Sequence, residues 1–349
     1  MKTMRKLILL GIIITLLVLP MTAVYAAPPP DGPPGLQRAI EVKERHAEAL
    51  LGVPGVVGAA VGHNGNSNPA IIIFTAIPGV RGLPTSLEGV PVIVQVSGIF
   101  FAQPKPEGRG NGKPPKDEEE PALTPRDRWP RPVPIGVSTG HPLITAGTIG
   151  ARVVDDSGNV YALSNNHIYA NENEASIGDA VIQPGTYDDG ISPVDDIGTL
   201  FAYVAIDFDG GINVVDAAIA STTTTLLGNS TPSDGYGTPK LTLADAYINM
   251  KVKKYGRTTG QTKGRVYAIK ATIDVYYGSG IARFVDQIVI TPGAFSAGGD
   301  SGSLIVVDAK RSRSDRRPVG LLFAGSSLYT VANPIGAVLT GLKVAIDGE

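Results

Sequence analysis

The chain has 349 residues, 43% of them hydrophobic, which is enough to bury a sizeable core and excludes global disorder. A formal net charge of −2 leaves no basic surplus for nucleic acid, and the lack of cysteine rules out disulfides and zinc–thiolate sites. Abundant glycine (43 residues) and frequent β-branched runs favour short strands joined by turns.

Residues 1–26 read as a secretory signal. Lys2, Arg5 and Lys6 form its positive end, Leu7 to Leu19 its apolar stretch, and Val24-Tyr25-Ala26 a small-residue cleavage site. A membrane anchor would need about 20 apolar residues, and Pro20 interrupts this run. Export with cleavage is therefore expected, with no stable membrane span afterwards. The mature chain would keep 323 residues, room for two domains, and a net charge of −5 once those three basic residues leave.

A proline-rich lead-in covers 27–35. From Leu36, apolar residues at helical spacing (Ala39, Ile40, Ala47, Leu50, Leu51) predict a helix that Gly52-Val53-Pro54-Gly55 stops. Val56 to Val61, Ala70 to Thr75 and Val90 to Val96 read as strands, with a turn at His63 to Asn68. Residues 36–102 thus form a small α/β unit, near the lower size limit for a self-standing core. Residues 103–134 are a linker: nine of the 32 are proline, and Lys116 to Glu120 is a charge run, a composition that buries no core and invites proteolysis.

Alternation returns at Ile135. Thr148 to Val154 and Val160 to Leu163 flank the turn Asp155-Asp156-Ser157-Gly158-Asn159. Further strands are read at 181–185, 213–220, 247–255, 265–276, 284–291, 303–307 and 319–324, with a short closing helix over 335–346. Regularly spaced strands without βαβ alternation predict a mainly β barrel or sandwich over 135–349.

Three places carry chemistry. Gly298-Gly299-Asp300-Ser301-Gly302-Ser303 sets a serine between glycines at the mouth of an apolar run, where the N–H groups of Gly299 and Ser301 can converge on an oxyanion. Gly-Asp-Ser-Gly is also ordinary turn chemistry. Serine needs a base. Of the four histidines, His46 lies in the charged helix, His63 in a turn and His141 beside Pro142, whereas His167 ends a strand at Ser164-Asn165-Asn166. Asp216 is a carboxylate inside the apolar stretch Val214 to Ala220, where burial demands a donor such as an imidazole N–H. Asp207 and Asp209 compete for that role from a Gly-rich loop.

The order His167, Asp216, Ser301, with the Gly-Asp-Ser-Gly-Ser motif and the hairpin Lys254 to Val266, resembles trypsin-like serine peptidases, particularly the secreted bacterial kind. The resemblance covers roughly residues 135–349. It departs at Asn165-Asn166, where the family usually has small alanines. It implies a chymotrypsin-like double β-barrel with His167 and Asp216 from the first barrel and Ser301 from the second. His167 would be the general base and then acid, Asp216 would hold its tautomer, and Ser301 would form the acyl-enzyme on a protein or peptide substrate. A specificity pocket would have Phe295 at its base and Phe323 to Gly325 along its wall, which disfavours arginine and lysine. Asp300 would have a cationic partner, either a freed N-terminus near Ile135 or an internal arginine. Residues 36–102 would be a propeptide that blocks the cleft, or an accessory module that stays attached. No cofactor or metal is implied, and no His-Glu-x-x-His pattern supports a metal-dependent hydrolase. The rival reading is a catalytically inactive binding protein on the same fold.

Overall fold

The structure is a computed structural model that describes residues 34–102 and 122–349. The signal at 1–26, residues 27–33 of the lead-in and residues 103–121 of the linker lie outside the described residues.

The helix α1 (Leu36–Leu51) forms where the apolar spacing predicts it and ends at Gly52. It packs Ala39, Val42, Leu50 and Leu51 against one face of β1 (Val56–His63) and β2 (Pro69–Thr75). β1 runs antiparallel to β2, and β2 parallel to β4 (Val90–Val96), which a two-residue strand β3 (Ser86–Leu87) borders. β5 (Phe100–Ala102) follows.

The first barrel begins with the pair β6 (Ser138–Thr139) and β7 (Gly147–Thr148). β8 (Ala151–Val154) and β9 (Val160–Ser164) then form the expected hairpin, whose turn Asp155 caps by accepting the N–H groups of Ser157 and Asn159. Thr148 to Val154 is not one strand, because the Thr148 N–H leaves to donate to the Ser301 carbonyl at 2.8 Å. After a short helix α2 (Asn166–Tyr169) come β10 (Ala180–Ile182), β11 (Asp196–Tyr203), β12 (Ile212–Asn213) and β13 (Ala218–Thr222).

Residues 213–220 also divide, and for a clear reason. β12 pairs with the second barrel and β13 with β9 and β11 of the first, so residues 214–217 cross between them.

The second barrel comprises β14 (Lys251–Gly256), β15 (Gly260–Tyr276), β16 (Ile281–Thr291), β17 (Leu304–Val307), β18 (Pro318–Gly325) and β19 (Thr330–Pro334). Pairing in the order β14-β15-β16-β19-β18-β17 and back to β14 closes it. The closing helix α3 (Ile335–Leu342) is shorter than expected. Lys343 takes a left-handed conformation that ends it, and the chain leaves as β20 (Ala345–Ile346) to pair with β8. The architecture is mainly β, in the two-barrel plan of the chymotrypsin-like fold. Among the described residues no helix is long and apolar enough to cross a membrane.

The N-terminal unit shares a sheet and a core with the second barrel. β1 extends the barrel sheet through β15, pairing Gly58 with Ile273 and Ala59 with Thr272. A Cβ on Gly58 would stand 2.5 Å from the Ile273 side chain, so this approach needs glycine. Val57, Ala60, Ile72, Phe74 and Phe100 pack in one cluster with Phe284, Phe323 and Val331 of the barrel. Lys43, fully buried, reaches across to the Thr272 hydroxyl at 3.1 Å and pairs with Glu44 at 2.8 Å.

Candidate active site

His167 sits on α2, directly after β9, and not at a strand end as its sequence context suggests. Asp216 lies on the 214–217 crossing. With no ladder partner there, its backbone is satisfied by side chains: its N–H donates to Asn333 Oδ1 at 3.0 Å, and its carbonyl accepts from Asn165 Nδ2 at 2.8 Å. The unusual Asn165 thus fastens the histidine segment to the aspartate segment.

The two side chains meet. His167 Nδ1 lies 2.5 Å from Asp216 Oδ2, and the His167 backbone N–H donates to Oδ1 at 3.2 Å. Asp216 is wholly buried, so its charge depends on these donors. A third comes from Tyr277, whose hydroxyl donates to Oδ2 at 2.9 Å. Asp207 instead accepts the N–H groups of Asp209 and Gly211 within its own loop. His46 pairs with Glu88 and His141 with Asp179, neither with Asp216 or Ser301, and His63 closes β1.

Ser301 arrives from the second barrel on the turn before β17. Gly299 and Gly302 take φ of +92° and +93°, which bend the chain around the serine in a conformation that side chains resist. Among the described residues no acceptor takes the N–H of Gly299 or Ser301. Ser301 Oγ faces the Phe323 carbonyl at 3.4 Å, and His167 Nε2 is buried without a partner among the described residues. The serine–imidazole hydrogen bond is therefore not made in this conformation. Such bonds are often long or absent until substrate is bound.

Asp300 anchors the turn. It accepts the N–H groups of Thr258, Thr259 and Ala297 and the Thr259 hydroxyl, and Lys254 Nζ stands 3.2 Å from Oδ2. Its cation is a lysine, neither of the partners expected. The Ile135 N–H is occupied by the Ser230 carbonyl, and the buried Arg257 forms a two-pronged pair with Asp188. The sequence holds one clue: Lys254 falls on the same strand face as Val252 at the start of the expected hairpin.

The pocket residues behave differently from expectation. Phe295 is fully buried in a barrel core with Val252, Val266 and Ile305, and Phe323 is fully buried against Phe284. Their rings fill cores. Gly325 and Ala324 pair antiparallel with Phe101 and Ala102, so β5 occupies the edge of β18 beside Ser301. Two surface hollows of about 400 and 450 Å³ are lined by other residues, around Lys251 and around Phe201.

Comparison with known proteins adds the following. The family model for the Nal1 C-terminal domain matches residues 240–331, a stretch with Ser301 but neither His167 nor Asp216. No curated protein matches the chain. Among solved structures, a glutamic acid specific serine protease is similar at 18% identity and a TM-score of 0.45, over 61% of this chain and 100% of that one. A chymotrypsin from Cellulomonas bogoriensis is similar at 17% identity and 0.42, over 62% and 99%. Protease A from Thermobifida fusca is similar at 16% and 0.41, over 62% and 100%.

Proposed function

We propose that the chain is an exported serine endopeptidase that acts outside the cell on protein or peptide substrates. The observation that carries this reading is the 2.5 Å pairing of His167 Nδ1 with the buried Asp216, which leaves Nε2 without a partner among the described residues and so able to act as base. Ser301 Oγ turns from the Phe323 carbonyl toward Nε2, loses its proton there and attacks the scissile carbonyl. The oxyanion forms between the N–H groups of Gly299 and Ser301. His167 then returns the proton to the leaving amine, and water hydrolyses the acyl-enzyme by the same steps.

In this reading the described form is latent. An extended peptide binds most simply by adding a strand to an open sheet edge, and β5 lies on the edge nearest Ser301. The N-terminal unit thus acts as an intramolecular inhibitor until the linker is cut and the unit leaves. A second reading, a binding protein that has lost catalysis, draws on the absent serine–imidazole bond. A fluorophosphonate probe applied after linker cleavage separates the two. Covalent labelling at Ser301 supports the peptidase; a folded, processed chain that never labels supports the binding protein.

A further inference from the structure

We propose that Tyr277 is a positioning residue for the His167–Asp216 pair, held in place by Glu172 from the histidine's own segment. This rests on the peptidase reading above and names a member of the site that no sequence motif marks.

The hydrogen bonds of Asp216 give the first reason. Oδ2 accepts both His167 Nδ1 at 2.5 Å and the Tyr277 hydroxyl at 2.9 Å, while Oδ1 accepts the His167 N–H at 3.2 Å. Among the described residues no lysine or arginine pairs with this carboxylate. A buried charge without a counter-ion depends on each donor it has, and among the described residues the tyrosine is the one donor that does not come from His167. Burial, and then the Asp216 charge, push the phenol's ionisation well above its usual value, so the hydroxyl keeps the proton it donates.

Ring packing gives the second. Tyr277 stacks on Phe284 at 6.1 Å, meets Phe208 edge-on at 5.5 Å, and meets the His167 imidazole at 5.9 Å and 74°. It therefore touches both partners of the pair and limits rotation of the imidazole about its bond to Asp216.

The third reason lies at the tip between β15 and β16. The Tyr277 N–H donates to the Gly280 carbonyl at 2.8 Å, forming a tight turn. Glu172 accepts the N–H groups of Gly278 at 3.2 Å and Ser279 at 2.7 Å. Glu172 lies three residues beyond α2 and adopts φ of +55°. The histidine segment of one barrel thus grips the tip of a hairpin from the other, which fixes Tyr277 relative to His167. The titratable groups around the hydroxyl are His167, Asp216 and Glu172.

Simple aromatic packing would be satisfied equally by phenylalanine, so Tyr277→Phe is the deciding variant. It removes one oxygen and keeps every ring contact. With linker-cleaved enzyme, kcat should fall about 10- to 100-fold with KM little changed, because the lost bond acts on the base and not on substrate. In the Ser301→Ala background, where no turnover is needed, NMR should show the His167 titration displaced upward. Without the hydroxyl, more of the carboxylate's charge faces the imidazole and favours its protonated form. Glu172→Ala should move the same titration in the same direction by less, and it decides the matter if Tyr277→Phe does not fold. An unmoved titration and unchanged kcat in Tyr277→Phe overturn the proposal. A displaced titration in a chain that neither labels nor hydrolyses peptides keeps the positioning role and discards the peptidase.

Discussion

Lys254 places its ammonium nitrogen 3.2 Å from the Asp300 carboxylate, with both side chains fully withdrawn from solvent. The carboxylate holds the turn that carries Ser301, so the lysine sets that turn from within the barrel. No chain cleavage is needed to supply the cation. Breaking a buried pair by removing one partner costs about 3–5 kcal/mol. Lys254→Met should therefore lower stability by that order in a denaturant titration and reduce probe labelling at Ser301. Undiminished labelling in a folded Lys254→Met protein would show that the turn is set by its backbone alone.

Ser301→Ala should abolish peptide hydrolysis, by about 10⁶-fold in turnover, while circular dichroism and melting stay unchanged. Asp216→Asn should cost about 10⁴-fold, since an amide no longer selects the tautomer with the proton on Nδ1. Near wild-type turnover in either variant would remove the triad.

Catalysis should rise with pH as the His167 imidazole loses its proton, because only the neutral ring can accept from Ser301. A rate independent of pH from acid to neutral conditions points to a different base.

Stability should fall at alkaline pH. Burial raises the ionisation of Tyr169, Tyr236, Tyr255 and Tyr329 from the ordinary 10.0, and Tyr277 is raised as well by burial and by Asp216. Above pH 10 the unfolded chain releases protons that the folded chain retains, so the folded state loses ground as pH climbs. Burial lowers the pKa of Lys43 and of Lys254, which acts in the opposite direction, two groups against these five phenols. Calorimetry from pH 9 to 11 should show a falling midpoint; a constant one would mean these phenols ionise freely in the fold.

Substrates with small or medium apolar side chains should be cleaved in preference to those with arginine or lysine. The resemblance puts Phe295 and Phe323 at the specificity pocket; neither supplies the acid that a basic side chain requires, and both are buried. For the same reason Phe295→Asp should unfold the second barrel and not redirect specificity, a buried lone charge costing several kcal/mol. A stable Phe295→Asp protein that cleaves after arginine would restore the open pocket.

Sequence alone carried the mainly β fold, α1 to the residue, and the residues that become neighbours at His167 and Asp216. It failed where two barrels exchange backbone. Asp216 reads as part of a strand because its neighbours from Val214 to Ala220 are apolar, yet Val215 and Ala217 are buried where the chain crosses between the barrels. Lys254 is not legible because Lys251, Lys253 and Lys254 together look like an exposed face, and only the fold brings Asp300 over the last of them. Tyr277 is flanked by Gly278-Ser279-Gly280, which signals a turn and says nothing of the partner 61 positions away. The Asn165-Asn166 departure was legible as a difference. Its use in binding the Asp216 carbonyl, and in holding residue 173 and the Val204 carbonyl, depends on loops distant in sequence.

The β1–β15 ladder has a consequence for whatever follows linker cleavage. While β1 is in place, β15 has neighbours on both sides over Ile269 to Ile273. If the N-terminal unit departs, that stretch becomes a bare strand margin bearing isoleucine and alanine, and a margin of this kind recruits a second chain. The freed barrel therefore faces a choice between dimerising through β15 and precipitating. A cleaved but still associated pair of chains keeps that margin covered.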